Sequence, residues 1–70
     1  MAEFNLGDKV RVNSTAEALE EIWAPVGSNG LTGVVAHGDE LGVDVRFEEE
    51  IEGSTLWSFT NDMVEKIDVA

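Results

Sequence analysis

His37 is the one histidine of this 70-residue chain, and it stands two residues from Asp39 and three from Glu40. A histidine beside carboxylates could serve as a general base or as a sensor of pH near neutrality. Nucleophilic catalysis would also need an activated nucleophile and a group to orient the base. The chain has no cysteine, and no hydrolytic motif surrounds its serines. His37 therefore reads as a surface residue flanking a hairpin. Carboxylates gather at Glu17/Glu20/Glu21, at Asp39/Glu40 and at Glu48/Glu49/Glu50/Glu52. Glycosidase chemistry needs two of them across a cleft, one with a raised pKa, and so short a chain has little room for that cleft. Zinc would want Cys and His. Calcium would accept the oxygens of Glu48 to Glu52, but the alternating Asp and Gly of a calcium loop are missing. Gly27, Gly30 and Gly33 fit neither a phosphate loop nor a dinucleotide fingerprint, and they read as turn residues. No metal, no cofactor and no enzymatic activity is expected.

Charge narrows the partners. Four basic residues, Lys9, Arg11, Arg46 and Lys66, face fifteen acidic ones, for a formal charge of -11. Binding to phosphates relies on clustered Lys and Arg. Direct contact with nucleic acid is therefore not expected, nor is docking on an anionic membrane. Attraction to a basic protein partner is. The longest apolar runs fall far short of the roughly 20 residues of a membrane span. No basic stretch followed by an apolar run marks a secretory signal. The lack of cysteine points the same way, toward a reducing compartment. The expectation is one soluble intracellular domain over residues 1–70.

Any such surface must be positioned by strands. Val10 and Val12, then Val34, then Val43, Val45 and Phe47, then Trp57 and Phe59 fall on alternating positions bounded by turn residues, the mark of half-buried strands. The expected strands are 9–13, 31–37, 43–47, 55–59 and 64–69, with those eight side chains inward. Met63 and Ile67 are expected to join the core, and Phe4 and Leu6 to pack across one end. Gly38-Asp39-Glu40-Leu41-Gly42 should close a hairpin, its glycines free to take positive φ. Glu48 to Ser54 reads as an acidic loop, and 60–63 as a turn with one 3-10 turn. Ser14-Thr15-Ala16-Glu17 fits a capping box with Ser14 as the cap. A short helix follows in the first long loop, with Leu19, Ile22 and Trp23 along one face and Pro25 as its stop.

Gly7-Asp8-Lys9-Val10-Arg11-Val12, Gly30-Leu31-Thr32-Gly33-Val34-Val35, Val43-Asp44-Val45-Arg46-Phe47, Trp57-Ser58-Phe59 and Met63-Val64-Glu65-Lys66-Ile67 together resemble an SH3-like small barrel. The pattern is similar to the photosystem I reaction-centre subunit IV family and to short bacterial and bacteriophage proteins, over about residues 6 to 68. The resemblance implies an all-β, five-stranded SH3-like barrel that docks rather than catalyses. Acidic composition and the helix in the first loop favour a phage or bacterial accessory protein, acting in the cytoplasm of a bacterial host.

Leu19, Ile22 and Trp23 admit two readings. They cap the open end of the barrel, or they form an exposed patch, where tryptophan is a strong binding anchor. In the second reading they anchor a protein partner, while Glu17, Glu20, Glu21, Glu48, Glu49 and Glu50 steer it by charge. Two alternatives stand beside this one: an acidic mimic of nucleic acid that occupies a DNA-binding protein, and a structural homo-oligomer.

Overall fold

The structure is a computed structural model and describes residues 4–67. It is mostly β, with little helix. The strands are β1 (Lys9–Val12), β2 (Thr32–Gly38), β3 (Val43–Ile51), β4 (Ser54–Phe59) and β5 (Val64–Lys66). They form one antiparallel sheet in the order β4-β3-β2-β1-β5. Four strands run as a meander, and the fifth returns beside the first. β4 and β5 are therefore the two edges and the sheet is open. Helix α1 (Ala16–Glu21) and a 3-10 turn (Val26–Ser28) fill the connection from β1 to β2. A second 3-10 turn (Asn61–Met63) leads into β5.

The inner face is built from Val10, Val12, Val35, Val43, Val45, Phe47 and Phe59. Phe47 and Phe59 meet edge to face, with ring centroids 6.1 Å apart. Leu19 of α1, Ala24, Met63, Val64 and Phe4 close the cluster, and Ile22, Ile51 and Trp57 pack against it from its rim. The Trp57 indole N–H donates to the carbonyls of Ile51 and Ser54, at 3.1 and 3.0 Å, which fastens it over the β3–β4 hairpin. That hairpin turns on Glu52 and Gly53, both at positive φ, the backbone of a tight two-residue turn.

Several sequence expectations need correction. Val34 faces outward and Val35 takes the core position: Val35 lies opposite Val45, and Val34 opposite Lys9 and Arg46. Side chains alternate with period two, so a slip of one residue exchanges the faces. Gly33, on the inner side of the same strand, has no side chain to reveal the parity, and an irregularity between Val35 and His37 interrupts it again. Residues 48–51 are not loop but the far end of β3. Pairing with β4 jumps from Arg46 to Ile51, however, so Phe47 to Glu50 bulge out of register. Phe4 is buried, but Leu6 is exposed. Gly38 and Gly42 do not take positive φ; Gly7, Gly30 and Gly53 do. Glycine is needed at 38 and 42 for another reason, since a Cβ there would stand 2.8 Å from the Phe4 carbonyl oxygen and 2.5 Å from that of Phe59. Strand β5 ends at Lys66 with Val64 buried and Ile67 half-buried. The expected continuation of this strand to 69 lies outside the described residues beyond 67. No helix among the described residues is long and apolar enough to cross a membrane.

Candidate docking surface

The end of α1 sets the geometry. Its cap is Thr15, whose hydroxyl accepts from the Ala18 N–H at 3.1 Å. Ser14, the cap expected from sequence, is held instead by Asn29, which bonds both its backbone N–H and its carbonyl. At the other end the Trp23 N–H donates to the Glu20 carbonyl at 3.1 Å, and the Ala24 N–H to the Leu19 carbonyl at 2.9 Å. These two bonds define a Schellman motif, with Ala24 and Leu19 in the buried pair that accompanies it. The helix thus stops at its own C-terminal turn; Pro25 comes later and opens the following 3-10 turn.

In that motif Trp23 occupies the left-handed position, at φ 64°. Glycine is usual there because it has no Cβ to crowd the carbonyl. An L-residue in this conformation costs about 1–2 kcal/mol. The side chain recovers little within the fold, since Trp23 is 90 % exposed. The three residues of the expected apolar face therefore part company. Leu19 is fully buried and belongs to the core, so it is not a surface anchor. Ile22 is half-buried, and Trp23 stands in solvent.

Ile22, the residue before Trp23, lines an open groove of about 480 Å³. Ile22 and Leu41 contribute apolar walls, with Val43 and Phe59 beneath, and His37, Asp39 and Asp44 supply polar edges. Leu41 is 88 % exposed at the tip of the β2–β3 hairpin. Asp39 holds that tip in shape: its Oδ1 accepts the N–H of Leu41 at 2.8 Å and of Gly42 at 3.0 Å. The Asn61 side-chain amide donates to the carbonyls of Asp39 and Glu40 and ties the hairpin to the second 3-10 turn. The Ser58 hydroxyl donates to Asp44.

The site residues expected from sequence fall in two places. Glu17, Glu20 and Glu21 are exposed on α1, the helix that ends two residues before Trp23. Glu48, Glu49 and Glu50 are exposed too, but they line a different cleft that shares no residue with the groove. Leu41 was missed from sequence; the available signal was a leucine isolated between Asp39-Glu40 and Gly42 in a tight turn. Among the described residues no group of three or more potential metal ligands gathers around one point.

The hairpin bonds give a test. The backbone N–H groups of Gly42 and Leu41 hold the Asp39 carboxyl below the ordinary aspartate value of 3.8. The Asn5 N–H does the same for Asp8 at the β1 turn, helped by Lys66. A carboxyl lowered in the folded state stabilises it above the unfolded value and loses that contribution as pH falls through the folded value. Asp39→Ala should therefore lower the thermal midpoint near neutral pH. The gap from wild type should close below about pH 3.8. Melts of both proteins across acid pH measure this, and a gap that does not change with pH would contradict it.

Compared with protein-family models, curated proteins and solved structures, the chain shows no match.

Proposed function

We propose that this chain is a non-enzymatic docking module that binds a basic protein partner through Trp23 and the adjoining groove. The observation that carries this is Trp23. A left-handed, solvent-exposed tryptophan costs the fold its backbone conformation, and an indole left in water returns no burial energy to offset that cost. A residue that breaks a local rule without compensation inside the fold points to a role outside it. Leu41 and Ile22 give the groove apolar walls, and an apolar patch with polar edges suits an interface. Asp39 and Asp44 at the groove, with Glu17, Glu20 and Glu21 on α1, favour a partner carrying Lys or Arg beside an apolar anchor.

The strand order, a four-stranded meander with its fifth strand beside the first, fits the SH3-like barrel reading. That reading, together with the acidic composition, favours an accessory protein of a phage or bacterium, working in the bacterial cytoplasm. The acids form separate clusters rather than a row spaced like DNA phosphates, which favours docking over nucleic-acid mimicry.

Affinity capture from bacterial lysate by wild type and by Trp23→Ala tests the proposal. A basic protein should be retained by wild type in about 0.1 M NaCl and lost in about 1 M, where the screening length falls from about 10 Å to about 3 Å. The variant should bind at least about tenfold more weakly, as for a hot-spot tryptophan. A partner indifferent to both salt and Trp23 would contradict the assignment, as would a partner displaced by DNA alone.

A further inference from the structure

Asn29 is followed directly by Gly30. An asparagine before glycine carries a reaction of its own. The backbone nitrogen of the glycine, once it has lost its proton to base, attacks the asparagine Cγ. A bond forms from that nitrogen to Cγ, the bond from Cγ to the side-chain nitrogen breaks, and ammonia leaves. Water then opens the five-membered imide at either carbonyl. One opening leaves an ordinary aspartate, and the other routes the main chain through the side chain, as isoaspartate. Glycine favours the attack because it has no Cβ to crowd the nitrogen. The other asparagines, Asn5, Asn13 and Asn61, precede Leu6, Ser14 and Asp62, and the chain has no glutamine.

The fold opposes ring closure at Asn29 in three ways. The attacking nitrogen is engaged, since the Gly30 N–H donates to the Val12 carbonyl at 2.8 Å. The side chain that must turn to meet it is fastened at both ends: Oδ1 accepts the Ser14 N–H at 3.1 Å, and Nδ2 donates to the Ser14 carbonyl at 2.8 Å. The backbone is also turned the wrong way. The imide ring needs the Asn29 Cβ and the Gly30 nitrogen eclipsed about the Cα–C bond, and at ψ 128° they are far from eclipsed. Water is not what is missing, because both residues are exposed. Protection therefore rests on these bonds and this dihedral, and it ends whenever the loop opens.

We infer that Asn29 is a modification site, a deamidation site that the folded chain holds shut, so that opening of this loop is recorded irreversibly. The co-reactant is water. Conversion adds one carboxylate and takes the charge from -11 to -12. It also destroys the clamp. Aspartate offers no donor to the Ser14 carbonyl, and two oxygens then face each other where a hydrogen bond stood. Isoaspartate lengthens the main chain just before Gly30, at the residue whose N–H bonds Val12. Thr15, the cap of α1, follows Ser14 directly, so the seat of the helix is weakened with the clamp.

The full chain, held at mildly alkaline pH in heavy-oxygen water, tests this when folded and denatured samples are compared. Guanidinium chloride denatures the second sample, and peptide mass spectrometry follows each asparagine. In the denatured chain Asn29 should convert faster than Asn5, Asn13 and Asn61, taking up heavy oxygen and giving isoaspartate among the products. Gly30→Ala under the same denaturing conditions should slow Asn29 to the rate of the others, a readout that does not depend on folding. In the folded chain Asn29 should slow at least about tenfold, and by no less than the protection of the Gly30 amide against hydrogen exchange, since both reactions need its bond to Val12 broken. Asn29→Asp, which installs the aspartate product, should melt at least about 5 °C below wild type. Three results would overturn the assignment: conversion of Asn29 as fast in the folded chain as in the denatured one, an Asn29 no faster than the other asparagines when denatured, or an Asn29→Asp chain as stable as wild type.

Discussion

Leu19→Ala should remove about 2–5 kcal/mol of folding free energy, the usual cost of truncating a buried leucine. Leu19 is 0 % exposed, and it is the one residue of α1 in the fully buried core. Its carbonyl also accepts from Ile22 and Ala24 and so anchors the C-terminal turn of the helix. Truncation leaves a void under α1 that six helical residues cannot collapse to fill. Chains of this size hold only about 3–5 kcal/mol in one core, so the variant should be largely unfolded, or folded with α1 undocked. Urea unfolding followed by far-ultraviolet circular dichroism measures the loss. A loss below about 1 kcal/mol would mean that the helix is not seated on the sheet and that Trp23 has no fixed platform.

Gly33→Ala should cost about 1–3 kcal/mol, an overpacking penalty. A Cβ at Gly33 would stand 2.5 Å from Val45 Cγ1, 2.7 Å from the Arg46 carbonyl oxygen and 3.2 Å from Phe47 Cδ1. The carbonyl belongs to the strand that carries Val45 and Phe47, so it cannot yield without moving the core. Gly27→Ala is the matched control. Nothing lies within 4 Å of a Cβ there and its φ is not positive, so the change should be neutral or stabilise by up to about 1 kcal/mol through the unfolded chain. Equal effects at the two positions would show that β2 and β3 do not approach each other as described.

Gly33 also shows where legibility from sequence stopped. The existence of β1, β3 and β4 followed from Val-x-Val, Val-x-Val-x-Phe and Trp-x-Phe, because alternation survives wherever one face is buried. The parity of β2 did not, because Val34 and Val35 are chemically identical neighbours and the residue before them is glycine. Only the pairing of Val35 with Val45 decides between them. The cap moved from Ser14 to Thr15 for a similar reason: both can cap, and the choice rests on Asn29, fifteen residues from Ser14. Gly38 and Gly42 were legible as necessary glycines, but the reason for them was not, since crowding by the carbonyls of Phe4 and Phe59 is a tertiary fact. At the candidate site, the spacing of Leu19, Ile22 and Trp23 identified a helix face but could not apportion it. The Schellman turn rotates Trp23 away from that face, so one residue of the three enters the core and one leaves it.

The central claim is that Trp23 is held in a left-handed turn at a cost to the fold, with its indole left for a partner. The free energy of unfolding of Trp23→Gly tests this most directly, by urea titration against wild type. Relief of the backbone conformation should raise stability by about 1 kcal/mol, with no change in the steepness of the transition. A loss of similar size would show that the indole packs on its own fold, and the docking account would then have lost its anchor.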